Sequence, residues 1–259
     1  MKRYCLYLFI LIGISCSAEL KAQKNGTVYK GNDPAVRYTG RTLVSSDGSV
    51  AFDWVGTYLE TRFTGGKLSV KVSETGTSYY NVFVDGKLHK VVKVCGTDTL
   101  IHLVSGIDKR IHSLKIQKRS EGEFGKTTVH QFVLSGSGRL AEELAVRTRH
   151  IEFIGNSLTC GYGTDGKHRD EPFLVETENC NLTFASMVAR YYDADYTLIA
   201  HSGRGAARNY GDSVRVSKVT MKDRMLNTFD EDLTHKWNFK EYRPDLVVIN
   251  LGSNDFSTE

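Results

Sequence analysis

The chain has 259 residues, 40% apolar and 25% charged, which excludes a disordered tail or a coiled coil and leaves room for two modest domains. Gly is frequent at 24 and Pro scarce at 3, a balance that suits sheets joined by tight turns. A net charge of +4 is too small to announce a nucleic-acid partner, and none is expected.

Lys2 and Arg3 precede an apolar stretch over residues 4–14, followed by small residues and Leu20-Lys-Ala-Gln23. This is the pattern of an export signal over residues 1–22, cleaved after Ala22. The stretch is short for a membrane span, and no later stretch is apolar enough, so no span is expected. Gly13-Ile-Ser before Cys16 is a poor lipobox, which argues against a lipoprotein and for a secreted or periplasmic chain. Beyond the leader lie Cys95, Cys160 and Cys180. Export permits disulfides, and Cys160 and Cys180 flank one loop region, where they either pair or stay free. No Cys/His cluster has zinc-ligand spacing, so no metal and no cofactor are expected.

Residues 23–147 read as an antiparallel β-sandwich. Leu68-Ser-Val-Lys-Val72, Tyr80-Asn-Val-Phe-Val84 and His112-Ser-Leu-Lys-Ile116 alternate, with turn formers between them. Alternation means that one face packs while the other meets solvent. Asp85-Gly86 predicts a hairpin turn. Glu121-Gly-Glu123 reads as another turn.

Residues 148–259 change to strand, loop and helix, and the net charge turns from positive to negative. Strands are predicted at 151–154, 196–200 and 246–251, the last buried on both faces, with a helix over 184–192 that Thr183 can cap. Strands that alternate with helices imply a parallel α/β sheet.

Each of these strands runs into a loop of small and polar residues: Gly155-Asn-Ser-Leu-Thr-Cys-Gly161, His201-Ser-Gly-Arg-Gly205 and Gly252-Ser-Asn-Asp255. In open α/β sheets ligands bind beyond the carboxyl ends of the strands, so the three loops are expected to meet. A serine on a sharp turn is exposed for attack on a carbonyl. Such attack needs donors aimed at the developing oxyanion. Ser157, Gly203 and Asn254 supply a nucleophile, a closely approaching backbone N–H and an uncharged side-chain N–H.

These blocks resemble those of the SGNH (GDSL-type) hydrolases. The β region followed by Asn156-Ser-Leu-Thr-Cys-Gly-Tyr-Gly163 is similar to carbohydrate esterase family 2. The resemblance implies a jelly-roll β domain joined to a flavodoxin-like hydrolase domain. It implies a secreted enzyme that removes O-acetyl groups from polysaccharides or oligosaccharides such as xylan or mannan. Ser157 becomes the nucleophile, and Ser157 N–H, Gly203 N–H and Asn254 form the oxyanion hole.

The chain departs from that pattern twice. The family usually has Asp before the serine, where this chain has Asn156. Its base is a histidine in a C-terminal block, and this chain stops at Glu259. An incomplete hydrolase domain with little activity of its own is therefore expected, because a serine without a base is a weak nucleophile. His201 stands at a strand end but belongs to the block supplying Gly203, so a structural role is expected. His168 and His235 lie in polar stretches and should face solvent. Tyr162, Tyr210 and Trp237 are candidates to stack on sugar rings, although aromatics more often pack. Arg204 and Arg208 are expected to be surface or loop-fixing residues and not ligands for a charged substrate. The alternatives are a GDSL-type lipase or acyl-thioesterase, and a non-catalytic glycan-binding protein with a decayed hydrolase half.

Overall fold

The computed structural model describes residues 26–141 and 146–257; the expected leader, its cleavage point and Cys16 lie outside the described residues. The first half is built from β1 (Gly26–Lys30), β2 (Val36–Thr39), β3 (Leu43–Val44), β4 (Val50–Phe52), β5 (Tyr58–Thr64), β6 (Lys67–Val84), β7 (Lys87–Val104), β8 (Ile111–Lys118), β9 (Thr127–Ser135) and β10 (Arg139–Ala141). All pairings are antiparallel, in the order β10-β5-β8-β6-β9-β4-β3, with β1 on β9, β2 on β5 and β7 on β6.

β6 and β7 form the long hairpin. Its turn is Asp85-Gly86, with φ of 50° and 75°, and Val84 pairs with Lys87 across it. Two positive φ values match the twist of the flanking strands. The two strands predicted within 68–84 are one strand of 18 residues. An irregularity between Val72 and Thr77, not a turn, separates their patterns. It lets residues 67–74 pair with β9 while residues 80–84 pair with β8. Leu59, Phe63, Leu114 and Ile116 from one wing then meet Val70, Val129, Phe132 and Leu134 from the other in one buried cluster. Each such side chain contributes roughly 1.5–3 kcal/mol by leaving water.

The second half holds a parallel sheet of β11 (His150–Gly155), β12 (Asp195–Ala200) and β13 (Leu246–Ile249), in the order β12-β11-β13. Short helices accompany it: α1 (Ser157–Cys160), α2 (Phe184–Tyr191) and α3 (Met221–Arg224). α2 turns the small side chains Ala185, Ser186 and Ala189 inward, and Phe184 meets the edge of Phe153 at 5.9 Å. Thr183 stands at the N-cap position, but its hydroxyl donates to the Cys180 carbonyl at 2.9 Å instead of capping. β12 is buried throughout. β13 is not: Leu246 and Ile249 are 52% and 65% exposed, because β13 is the edge of the described sheet and pairs only with β11. That corrects the expectation of a strand buried on both faces.

Cys160 and Cys180 are buried and unpaired, and Cys95 is exposed and unpaired. The Cys180 thiol donates to the Lys118 carbonyl at 3.4 Å, so it faces the β half and not Cys160. No helix among the described residues is long and apolar enough to cross a membrane.

Candidate active site

Register brings the three loops together. Gly155 pairs with Ala200 on one side of β11, and Ile154 with Ile249 on the other. The Asn250 N–H extends the pairing to the Ile154 carbonyl at 2.8 Å. Beyond the strands, Asn156 Nδ2 donates to Ser253 Oγ at 2.9 Å and joins the first loop to the third. Asn254 Nδ2 donates to the Arg204 carbonyl at 2.8 Å and joins the third to the second.

Ser157 opens α1 directly after β11 and is half-buried. Asn156 caps this one-turn helix, its Oδ1 accepting the Leu158 N–H at 3.2 Å. An aspartate would keep that cap, but its carboxylate could not donate to Ser253. The Asn156 departure therefore sets the direction of the loop-to-loop hydrogen bond, the side-chain amide donating to the serine hydroxyl. The turn closes at Gly161, where φ is 84° and an added Cβ would lie 2.5 Å from the Asn179 carbonyl oxygen. Only glycine fits such a close approach. Among the described residues Ser157 Oγ has no hydrogen-bond partner, so no described histidine is hydrogen-bonded to it.

Gly203 has φ of 72°, and a Cβ there would meet nothing nearer than Tyr210 Cβ at 4.0 Å. The backbone beside it is open enough for a ligand to approach its N–H. The Gly203 carbonyl accepts the Tyr210 N–H at 2.8 Å. The preceding residue, Ser202, is held from the β half: Glu121 accepts its N–H at 2.5 Å and also its hydroxyl. Asn254 is buried, and its bond to Arg204 fixes the amide plane. Its neighbour Asp255 accepts the N–H groups of Ala206, Ala207 and Arg208 at 2.9, 2.6 and 3.0 Å. Burial would raise this carboxyl, but the three N–H groups outweigh burial and hold it below its ordinary value.

His201 is buried. Its Nδ1 bonds Asp230 at 2.7 Å, and its Nε2 lies 3.6 Å from Glu123. Burial pulls the imidazole down, yet Asp230 outweighs it and holds the ring above its ordinary value. His201, Asp230 and Glu231 also lie close enough to share a cation, but the Arg224 guanidinium bonds Asp230 at 2.9 Å and Glu231 at 2.7 Å and supplies that charge.

The remaining candidates divide. His168 and His235 are exposed. Arg208 donates to the Ser257 carbonyl and fixes the loops. Tyr210 is 67% exposed beside Gly203. Tyr162, just past the serine turn, stacks on Phe173 at 3.7 Å, and Phe173 in turn stacks on Phe124 of the β half at 5.7 Å. Trp237 is elsewhere. It packs on Tyr242, which stacks on His150 at the opposite end of β11 from Ser157. The sequence reading missed Glu121, Asp230 and Asp255. Asp255 lay within a recognised loop, whereas Glu121 was read only as part of a turn.

The carbohydrate esterase 2 N-terminal family matches residues 38–143, and the GDSL-like lipase/acylhydrolase family matches residues 151–259. A solved active-site mutant of a family two carbohydrate esterase from Clostridium thermocellum is 34% identical, with a TM-score of 0.81 over 87% of this chain and 68% of that one. The chain belongs to carbohydrate esterase family 2. Its family relatives include the cellulase/esterase CelE of Acetivibrio thermocellus, 34% identical over 88% of this chain and 27% of that protein. They also include an acetylxylan esterase / glucomannan deacetylase of Cellvibrio japonicus, 33% identical over 85% of this chain and 61% of that protein. The chain thus spans 27% and 61% of the lengths of these two family 2 relatives.

Proposed function

We propose that the full-length protein is an exported, serine-dependent acetyl esterase acting on acetylated polysaccharide of the xylan or mannan type. Ser157 Oγ attacks the acetyl carbonyl, and the alcohol of the sugar leaves. Water then releases acetate from the acyl-serine. The N–H groups of Ser157 and Gly203, together with Asn254 Nδ2, receive the oxyanion in both steps. The observation carrying this reading is the joining of three strand-end loops by the Asn156–Ser253 and Asn254–Arg204 hydrogen bonds, with Ser157 Oγ left unbonded among the described residues. A family 2 esterase of Clostridium thermocellum has been solved in complex with cellohexaose, which supports a sugar chain as the ligand. We take the two halves as domains that meet near residue 148, the first a jelly-roll-like sandwich, and the leader as cleaved after Ala22.

His201 bonds Asp230, lies near Glu123 and makes no hydrogen bond to Ser157 Oγ among the described residues, so we read it as a structural residue and not as the base. Residues 1–259 alone should therefore hydrolyse acetyl esters slowly, at the residual level left by binding and oxyanion stabilisation. The test is fluorophosphonate labelling of the full-length protein, with acetate release from acetylated xylan and glucomannan. The adduct should map to Ser157, and Ser157→Ala should lose at least about a thousandfold in turnover. An adduct on another residue, or undiminished release by Ser157→Ala, overturns the assignment.

A further inference from the structure

Glu121 stands between β8 and β9 and is fully buried. Its two carboxylate oxygens divide the two donors of Ser202, one taking the N–H and the other the hydroxyl. Ser202 is joined by a single peptide to the Gly203 nitrogen. On the far side of that nitrogen the Gly203 carbonyl is tied to the Tyr210 N–H. The Gly203 N–H, which has no acceptor among the described residues, therefore projects from a segment anchored on both sides.

The clamp is itself braced. The Glu121 N–H donates to Glu178 Oε2 at 2.9 Å, and the Glu121 carbonyl accepts the buried Lys118 ammonium at 3.0 Å. Glu178 is fully buried in the α/β half, on the loop beyond α1, and Arg119 of the β half holds its carbonyl at 2.6 Å. The other carboxyl oxygen of Glu178 accepts no hydrogen bond among the described residues. Burial first, and the nearby Glu121 second, push the Glu178 carboxyl well above its ordinary range. Protonation turns a carboxyl acceptor into a donor, and a Glu178 oxygen lies within 4.8 Å of Glu121 and Cys160. A neutral Glu178 spares Glu121 a second buried charge. Both Glu121 oxygens remain on the two Ser202 donors.

The geometry assigns Glu121 as a positioning residue: by clamping Ser202 from the β half it aims the Gly203 N–H, so the two halves together complete the oxyanion site. This assignment rests on the proposed roles of Ser157 and Gly203. Glu121 touches no reacting atom and acts through Ser202. Glutamine keeps its shape, but one oxygen that accepts from Ser202 becomes an N–H donor, so the bond to the hydroxyl must reverse its direction.

The experiment compares Ser157→Ala, Glu121→Gln, Ser202→Ala, Ser202→Thr and Arg37→Gln in the full-length protein. The readouts are kcat and KM on an acetyl ester, fluorophosphonate labelling rate and melting temperature. Glu121→Gln should lower kcat by between about tenfold and a hundredfold, as misaimed catalytic groups do, and slow labelling in parallel. Its KM should stay within about twofold, since the interaction belongs to the transition state. Ser202→Ala should lower kcat less, and Ser202→Thr should recover part of that loss by restoring the hydroxyl. Arg37→Gln, at the opposite end of β12, should lower the melting temperature and leave kcat alone. A folded Glu121→Gln whose kcat falls no further than that of Arg37→Gln overturns the assignment, as does a rise in KM alone. Should Glu121→Gln fail to fold, the serine pair decides, and wild-type kcat in both serine variants overturns it. An inactive Ser157→Ala beside an unimpaired Glu121→Gln sinks this inference only. An active Ser157→Ala sinks the catalytic reading and this inference with it.

Discussion

The β half grips β12 at both ends, and the two grips differ. At the start of the strand, Asp195 accepts the Tyr58 hydroxyl at 2.6 Å and the guanidiniums of Arg37 and Arg147 at 2.8 Å each. Glu60 pairs with the same two arginines. Two arginines meet two buried acids there, with the exposed Asp193 on Arg147 at 3.4 Å and Lys115 Nζ over the Tyr58 ring at 3.7 Å. At the other end, Glu121, Glu178, Glu123, Asp230 and Glu231 gather around His201 and Ser202, with Lys118 and Arg224 as the cations among them. That end is crowded with acid and, among the described residues, leaves the Gly203 N–H and the Ser157 hydroxyl unbonded. A balanced cluster needs no further partner and serves cohesion. An unbalanced one shifts pKa values and waits for a ligand, as functional sites do.

The largest expected effect belongs to the second end. Asn254→Ala removes a side-chain N–H while Asp255 still holds the neighbouring loop. In the full-length protein it should lower kcat on the order of a hundredfold or more, with KM little changed. Steady-state kinetics on an acetyl ester decide the matter. Constant kcat with a raised KM would make Asn254 a substrate-binding residue and weaken the contrast between the two ends.

Much of this contrast was legible in the sequence, but unevenly. The alternation at Leu68, Val70 and Val72 marks a half-buried strand, because the face of a strand repeats every two residues. The continuation of β6 through residues 73–79 was not legible, since an irregularity looks like a strand end until its partners are known. The meeting of the Ser157, Gly203 and Asn254 loops could be read because each follows an apolar strand and parallel strands end on one edge. Glu121 was hidden. Its partner Ser202 is 81 residues away, and no local pattern announces a contact between halves. Trp237 looked equal to Tyr162 and Tyr210 as a sugar platform, because sequence does not say which end of β11 a later loop returns to. The exposure of β13 contradicted its apolar run for a related reason: composition shows what a strand is fit to bury against, not which elements cover it.

The second effect is a pH dependence at the acid-rich end. Glu178 is raised by burial, then by Glu121, so the folded state binds a proton that the unfolded state releases. Its contribution to stability is full below the ordinary carboxylate value of about 4.3 and is lost as pH rises toward its folded pKa, at up to about 1.4 kcal/mol per pH unit. Glu178→Gln is neutral at every pH. Between pH 5 and pH 9 the melting temperature of wild type should therefore fall relative to Glu178→Gln. Lys118, lowered by its own burial, contributes the opposite trend at alkaline pH, but it is present in both proteins and cancels in the difference. Parallel melting curves across that range would show that Glu178 is ionised in the folded state and that the two ends titrate alike.

The smallest effect lies at the balanced end and runs the other way. Burial alone would raise Asp195, but the Tyr58 hydroxyl and the Arg37 and Arg147 guanidiniums outweigh it and hold the carboxyl below its ordinary value. A depressed carboxyl contributes stability above its unfolded pKa of about 3.9, and that contribution is lost as pH falls through the folded value. Arg37→Gln should cost about 1–2 kcal/mol at neutral pH, less than the loss of a fully buried partner, because Arg147 remains and the pair is partly solvated. Below about pH 4 the gap between variant and wild type should narrow, since Asp195 protonates in both and the arginine loses its partner. Urea denaturation at pH 7 and pH 3 measures both values. A gap that widens in acid would mean that Arg37 stabilises the fold through its packing against β5, and the charge balance at this end of β12 would no longer explain its difference from the other.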